Sequence, residues 1–290
     1  ICAAKASAEN RAEENKSPAM RPETITSSLN PKLKMLLRLE EIFRTCRGNP
    51  LFIVEGRKEI KHCIDAGYQV RALFVCRDII SGRDFEEIAA GCGDNCSCYE
   101  VPQKIYEKIA YREGTEGIIA EIEIKDKTLS DIKLRENPLV VVLESVEKPG
   151  NLGAILRTAD AADADAVIIC DSLTDLYNPN LIRASLGAVF TRQVVAASSS
   201  ETLQWLNDNK IRIYTAQLQD SSWYYDTDMT CGTAIVMGTE STGLSDVWRM
   251  AAEANVKIPR LGSLDSRNVS VSAAILAFEA VRQRQGGAGR

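Results

Sequence analysis

Residues 139–170 read LVVVLESVEKPGNLGAILRTADAADADAVIIC. Two apolar runs, residues 139–143 and residues 166–170, enclose a segment that is long enough for a helix. Strands that are apolar at nearly every position are expected where helices cover both faces of a parallel sheet. This stretch therefore predicts a strand–helix–strand unit of an α/β domain.

The same alternation continues toward the carboxyl terminus. The apolar runs IRIYT at 211–215 and AIVM at 234–237 are separated by segments of helix length. The last segment, residues 268–284, has helical periodicity, and we expect it to pack as a closing helix. The face predicted to pack carries Val271, Ile275, Phe278 and Val281. The expected cap of this helix is Ser266 or Asn268.

The sequence before Pro138 predicts a smaller α/β module. A helical pattern begins near residue 30, strands are predicted at 51–54 and 71–75, and the last apolar run covers 117–124. The residues before this module are polar and lack apolar periodicity. The expected division is a disordered tail over 1–28, an α/β module over 29–125, a charged linker over 126–137 and an α/β domain over 138–290.

Composition excludes several classes of protein. No apolar run approaches the roughly 18 residues of a membrane span, and the first residues lack the pattern of a secretory signal. We therefore expect a cytoplasmic protein that does not enter a membrane. Cys92, Cys96 and Cys98 lack both the paired spacing and the nearby histidine of a zinc site, so no metal is expected.

The formal net charge of −5 argues against general coating of nucleic acid. The charges are unevenly distributed, however, because basic residues outnumber acidic ones between Asn30 and Asp65. That segment could face an RNA backbone, or it could be a solvated helical surface. The sequence leaves both possibilities open.

Three loops concentrate Gly, Pro, Asn, Ser and Glu between a predicted strand and a helix: residues 144–161, 237–245 and 258–275. Loops at the same end of neighbouring parallel strands converge on one site. The second loop has the glycine spacing of a phosphate-binding P-loop, but Leu244 stands where that motif requires lysine. The GxGxxG motif of dinucleotide enzymes follows none of the predicted strands.

In order and spacing, these loops resemble the three sequence motifs of SpoU/TrmH-type RNA methyltransferases of the SPOUT superfamily. The resemblance covers roughly residues 138–284. It implies an α/β domain with a parallel sheet and a trefoil knot, a homodimer, and S-adenosyl-L-methionine bound in the knot. The activity it implies is methylation of a ribose 2′-hydroxyl in RNA.

The resemblance also implies the site residues. The catalytic positions that it assigns are Asn151, Arg157, Glu240, Ser266 and Asn268. The cofactor-binding positions that it assigns are Leu218, Gly238, Ile258 and Arg267. This chain departs from the family pattern at Ser241, Arg260 and Arg267. Each position also has a simpler explanation, since a loop glycine permits a turn and asparagine or serine caps a helix.

The module over residues 29–125 resembles, more loosely, the ribosomal-protein-like RNA-binding domain of many such enzymes. We therefore expect large-subunit ribosomal RNA as the substrate, with transfer RNA as the alternative. A non-catalytic RNA-binding protein and a nucleotide-dependent α/β transferase are the competing classes. His62 lies outside the predicted catalytic domain, so an imidazole base is not expected unless the domains meet at the site.

Overall fold

The computed structural model describes residues 22–42, 50–111, 114–171, 175–239, 241–259, 261–262 and 268–286. The strands are β1 (Glu23–Thr24), β2 (Leu51–Glu55), β3 (Val70–Val75), β4 (Ser97–Glu100), β5 (Ile118–Glu123), β6 (Leu139–Glu144), β7 (Ala166–Cys170), β8 (Gln193–Ala197), β9 (Arg212–Ala216), β10 (Ser222–Trp223), β11 (Thr233–Met237) and β12 (Ala254–Lys257). The helices are α1 (Pro31–Ile42), α2 (Arg57–Asp65), α3 (Gly82–Gly91), α4 (Gln103–Ile109), α5 (Pro149–Ala161), α6 (Pro179–Ala184), α7 (Ala188–Thr191), α8 (Ser199–Asp208), α9 (Asp246–Ala251) and α10 (Val269–Gly286).

The first sheet has five strands in the order β1-β4-β3-β5-β2. It is mixed, because β3 runs parallel to β4 and antiparallel to β5. One face packs under α1, whose leucines at 33, 36 and 39 are fully buried. The other face packs against α2 and α3 through residues such as Ile60 and Phe85. The small α/β module expected from the sequence is therefore present.

The second sheet has seven strands in the order β10-β12-β9-β11-β6-β7-β8, and all neighbouring strands are parallel. Every residue of β6, β7 and β11 is buried, as expected when helices cover both faces of a sheet. The predicted α/β class with a parallel sheet in the carboxyl-terminal part is confirmed. The knot implied by the resemblance stays a prediction.

The two sheets meet at a cluster of aromatic rings. The ring of Phe52 in β2 lies 4.5 Å from that of Tyr177 and 5.8 Å from that of Phe190, measured between centroids. Tyr68 packs edge-on against Phe190 at 5.3 Å. These rings belong to one contiguous cluster of buried side chains drawn from both sheets. The two parts of the molecule therefore share a core, while the predicted boundaries at 125/126 and 137/138 stay predictions.

The predicted disordered tail is wrong for residues 22–28. β1 pairs with β4, the Ile25 backbone N–H donates to the Glu100 carbonyl at 2.8 Å, and the Ile25 side chain is buried. A strand of two residues is too short to produce a periodic pattern, which is why the sequence did not reveal it. Residues 1–21 lie outside the described residues.

The face predicted to pack α10 against the protein is wrong at Val271 and Phe278, although Val281 is partly buried against the core. Val271 is 50% exposed and Phe278 is 46% exposed. The helix packs instead through Val269, Ala273, Leu276, Ala277 and Ala280. Apolar residues occupy more than one face of α10, and the small alanine side chains allow the helix to approach its neighbours closely.

Within the described ranges, no helix is long and apolar enough to cross a membrane. The same residues contain no group of three or more His, Cys, Asp or Glu side chains arranged to hold a metal ion. Cys92, Cys96 and Cys98 are free thiols.

Candidate functional site

A cavity of about 480 Å³ lies at the carboxyl ends of β9, β11 and β12. This volume is typical of small-molecule sites. Apolar side chains such as Met237 and Val256 form part of its wall, and polar side chains such as Gln217, Thr239 and Lys257 form another part. The cavity arises because β9 lies between β11 and β12 in the sheet, so the loops that follow these strands meet.

Three of the four predicted cofactor residues line this one cavity. Leu218 follows β9, Gly238 follows β11 and Ile258 follows β12. The fourth, Arg267, lies outside the described residues. Two of the three predicted loops, those after β11 and β12, therefore meet at this cavity together with the loop after β9, whereas the binding roles of these residues stay predictions.

The loop after β11 folds back on itself. The Gly243 N–H donates to the Thr239 carbonyl at 3.0 Å, and the Thr242 N–H donates to the Thr239 hydroxyl at 3.0 Å. Gly238 must be glycine, because a Cβ there would collide with the Gly243 carbonyl group. Leu244 is buried and lines the cavity with an apolar side chain, so it supplies no positive charge of the kind that the lysine of a P-loop provides.

The first and third motifs meet beside the cavity. The Asn268 side-chain amide donates to the Asn151 side-chain oxygen at 3.1 Å. Asn268 also caps α10, since its side-chain oxygen accepts from the Ser270 N–H at 2.8 Å. Val269 and Ser272, in the first turn of α10, line the cavity. Asn268 thus combines the predicted capping role with a contact between two motifs.

Asn151 and Arg157 lie at different positions along α5. Pro149 begins the helix, where its missing N–H leaves no hydrogen bond unmade. Asn151 is in the first turn, and Arg157 is more than one turn further along and exposed. Among the described residues, the Arg157 side chain makes no hydrogen bond or ion pair. Glu240 and Ser266, the other predicted catalytic residues, lie outside the described residues.

The lone histidine is not among the cavity residues. His62 packs against Gly187, where an added Cβ would lie 2.9 Å from its ring. The two modules are in contact at His62, but this contact lies beside the amino end of α7 and not among the cavity residues. An imidazole base at the cavity therefore gains no support from the contact between the sheets.

A buried carboxylate that sequence reasoning overlooked anchors the loop after β11. Glu144 ends β6 and is 8% exposed. It accepts from the Ser245 N–H at 2.8 Å and from the Ser245 hydroxyl at 2.6 Å. Ser199 links it to Asp171, with the Ser199 hydroxyl 2.5 Å from the Asp171 carboxylate. The sequence could have indicated this residue, because an acidic residue ends the apolar run of β6. A carboxylate buried at such a position needs hydrogen-bond partners.

Comparison with known proteins identifies the family. Residues 138–278 match the SpoU rRNA Methylase family, and residues 30–120 match the MRM3-like substrate binding domain. A 23S rRNA (guanosine-2′-O-)-methyltransferase, RlmB, from Pseudomonas putida is 34% identical over 188 residues, which cover 62% of this chain and 75% of that protein.

Two solved structures agree with this result. An RNA 2′-O ribose methyltransferase superposes with a TM-score of 0.76 at 35% identity and covers 91% of this chain and 100% of its own. An AdoMet-bound rRNA methyltransferase from Sinorhizobium meliloti superposes with a TM-score of 0.80 at 28% identity and covers 90% of this chain and 97% of its own.

The seven-stranded parallel sheet, the cavity at its carboxyl edge and these relatives define an S-adenosylmethionine-dependent RNA methyltransferase. The chain belongs to the SpoU rRNA Methylase family. The cavity suits this cofactor, because its wall offers both apolar and polar groups and its volume is that of a small-molecule site.

Proposed function

We propose that this protein methylates the 2′-hydroxyl of one ribose in large-subunit ribosomal RNA. The observation that carries the proposal is the contact between Asn151 and Asn268 beside the cavity, which brings the first and third motifs together. The names of the similar proteins, which include a 23S rRNA 2′-O-methyltransferase, favour ribosomal RNA over transfer RNA.

In this proposal, the cavity lined by Leu218, Gly238 and Ile258 holds the methyl donor. Arg267 is assigned to the donor by its position in the third motif alone. S-adenosylmethionine supplies a methyl group on a positively charged sulfonium, which needs no metal activation. The protein must then hold the ribose hydroxyl in line with that methyl group. Positioning of this kind can supply about 7–11 kcal/mol of the barrier.

The polar residues are assigned to the RNA side of the site. Arg157 clamps a phosphate and stabilises the developing negative charge on the ribose oxygen, because a guanidinium stays protonated at neutral pH. Asn151, Ser266 and Asn268 orient the ribose and the donor. The proton of the hydroxyl passes to Glu240, to the 3′-side phosphate or to water.

We further propose that the protein is a homodimer. Val271 and Phe278 form an exposed apolar stripe on α10, and such a stripe is costly to leave in water. A second copy of the chain covers it in this proposal. The cytoplasmic location expected from the sequence stays a prediction, which cell fractionation tests.

The test uses the full chain. Calorimetry should detect S-adenosylmethionine binding, and labelled methyl groups should enter unmodified large-subunit rRNA transcripts as 2′-O-methyl nucleosides. Methylation of transfer RNA alone would contradict the proposed substrate. RNA binding without donor binding would contradict catalysis.

Gly238→Ala provides a sharper test of the cavity. Its Cβ would collide with the Gly243 carbonyl group, so donor binding should fall at least 10-fold, roughly 1.4 kcal/mol. Gly93→Ala is the matched control, since an added Cβ there meets nothing within 4 Å. Equal donor affinity in the two variants would place the donor elsewhere.

A further inference from the structure

Among the described residues of the carboxyl-terminal part, most arginines are paired within the protein itself. Four of them form ion pairs: Arg192 with Asp160 and Asp163, Arg212 with Asp228, Arg249 with Asp246, and Arg282 with Glu279. Arg284 donates to backbone carbonyls, including that of Asn137 at 2.9 Å. Arg157 and Arg183 differ from these, because neither makes a side-chain hydrogen bond or ion pair to any described residue. Both are exposed.

Arg183 is not simply a free surface side chain. Its guanidinium carbon lies 5.5 Å from the ring centroid of Tyr111, which belongs to the first module. The Tyr111 hydroxyl donates to the Asn180 side-chain oxygen at 2.6 Å, one turn before Arg183 on α6. The Tyr111 N–H donates to the Glu55 carboxylate at 2.8 Å. Tyr111 is therefore held from both modules, and its ring supports the guanidinium.

The Glu55 carboxylate does not neutralise Arg183. One of its oxygens accepts from the Tyr111 N–H, and the other is buried without a hydrogen-bond partner among the described residues. No ion pair joins Glu55 to Arg183 within the described part of the chain. The positive charge of Arg183 is thus available to a ligand.

α6 packs directly on the helix that carries Arg157. A Cβ added at Gly153 would lie 2.5 Å from the backbone carbonyl carbon of Ala184, so the two helices touch at these positions. Ala184 immediately follows Arg183, and Arg157 lies one helical turn beyond Gly153 on the same side of α5. The two unneutralised guanidinium groups are therefore carried by helices in contact.

We propose that Tyr111 and Arg183 form a second phosphate-binding subsite for the substrate RNA, next to the one assigned to Arg157. This inference rests on the proposed function. A guanidinium binds phosphate through two parallel hydrogen bonds, and the ring of Tyr111 orients its plane. Because Tyr111 and Arg183 come from different modules, the subsite is complete only where the two sheets meet. The first module thus contributes to RNA binding at the active site itself.

The experiment measures the affinity of the full chain for a fluorescein-labelled RNA stem-loop across a series of salt concentrations. Loss of one phosphate contact lowers the slope of log affinity against log salt by about 0.7–0.9. Arg183→Ala should show this loss and bind the RNA about 10-fold more weakly at moderate salt. Arg183→Lys should keep the slope but lose part of the affinity, since it keeps the charge and loses the planar fork.

Arg212→Ala is the matched control, because Arg212 is also exposed but pairs with Asp228 at the amino end of β9. Its salt slope should equal that of the wild type. Tyr111→Phe keeps the ring and loses the hydrogen bond to Asn180, so it should weaken RNA binding less than Arg183→Ala. Donor binding by calorimetry, which all four variants should retain, verifies that each is folded.

The outcomes separate the two proposals. If the wild type binds no donor and methylates no RNA, the proposed function fails. If the wild type is active but Arg183→Ala keeps the wild-type salt slope, the phosphate subsite is refuted. A loss of affinity that depends on RNA sequence, with an unchanged slope, would make Arg183 a reader of bases and would also overturn it. A change in oligomeric mass alone would assign Arg183 to a protein interface instead.

Discussion

Substitutions of Arg157 distinguish a phosphate clamp from a catalytic base. As a phosphate clamp it acts through fixed charge and a planar fork of donors, so Arg157→Lys should keep partial activity. Arg157→Ala should lose roughly 10²–10³-fold in rate, the effect of removing one preorganised donor to the transition state. Donor affinity should barely change in either variant. Single-turnover rates measure these effects.

The pH dependence of the Arg157→Lys rate tests the alternative that Arg157 is the catalytic base. If Arg157 were the obligate base, lysine would lose its proton more readily, and the activity of Arg157→Lys would climb as the pH approached about 10. A lysine variant faster than the wild type at alkaline pH would therefore rule out the clamp.

The partly buried carboxyl group of Glu121 should make the free energy of unfolding depend on pH, whatever the catalytic mechanism. Burial on β5 raises the pKa of this carboxyl to about 7, above the ordinary value of 4.5. Because the folded state favours the protonated form, the protein should lose stability as the pH rises from 4.5 through 7. Glu121→Gln should thus be more stable than the wild type above that range, by about 1–3 kcal/mol, and similar below it. Urea unfolding at pH 4.5 and at pH 8 measures the difference; a pH-independent difference would contradict it.

The exposed apolar stripe of α10, formed by Val271 and Phe278, should determine whether the protein is a dimer. Phe278→Asp places a charge in the proposed dimer interface, so the protein should become monomeric in light scattering. Leu37→Asp is the matched control, because Leu37 is an exposed leucine on α1, in the other module. A monomeric wild type, or a dimer that survives Phe278→Asp, would contradict the proposed interface.

The core that the two sheets share should make the whole molecule unfold cooperatively. Phe52, Tyr177 and Phe190 pack both sheets into one cluster, so calorimetry should show a single unfolding transition. Phe52→Ala should cost about 3–5 kcal/mol and allow the two parts to unfold separately.

Phe74→Ala is the control for this effect. Phe74 is equally buried but packs on the α1 side of the first sheet, away from the seam. It should lower the unfolding temperature without splitting the transition. Two resolved transitions in the wild type would mean that the seam does not couple the modules.

The sequence by itself determined the local structure and the class of protein. Apolar runs such as 139–143 and 166–170 predicted buried parallel strands, because helices on both faces remove the alternation of polar and apolar residues. The order of the three loops predicted the family. These features are written in consecutive residues, and so they can be read without knowing the strand order.

Only the tertiary structure decided which distant side chains meet. Asn151 contacts Asn268 across 117 residues, Glu144 binds Ser245 across 101, and Tyr111 from the first module supports Arg183 from the second. The buried face of α10 was also settled this way, since its sequence is apolar on more than one side. Such contacts depend on the order of strands in the sheet and on the docking of the two modules, which local periodicity does not encode.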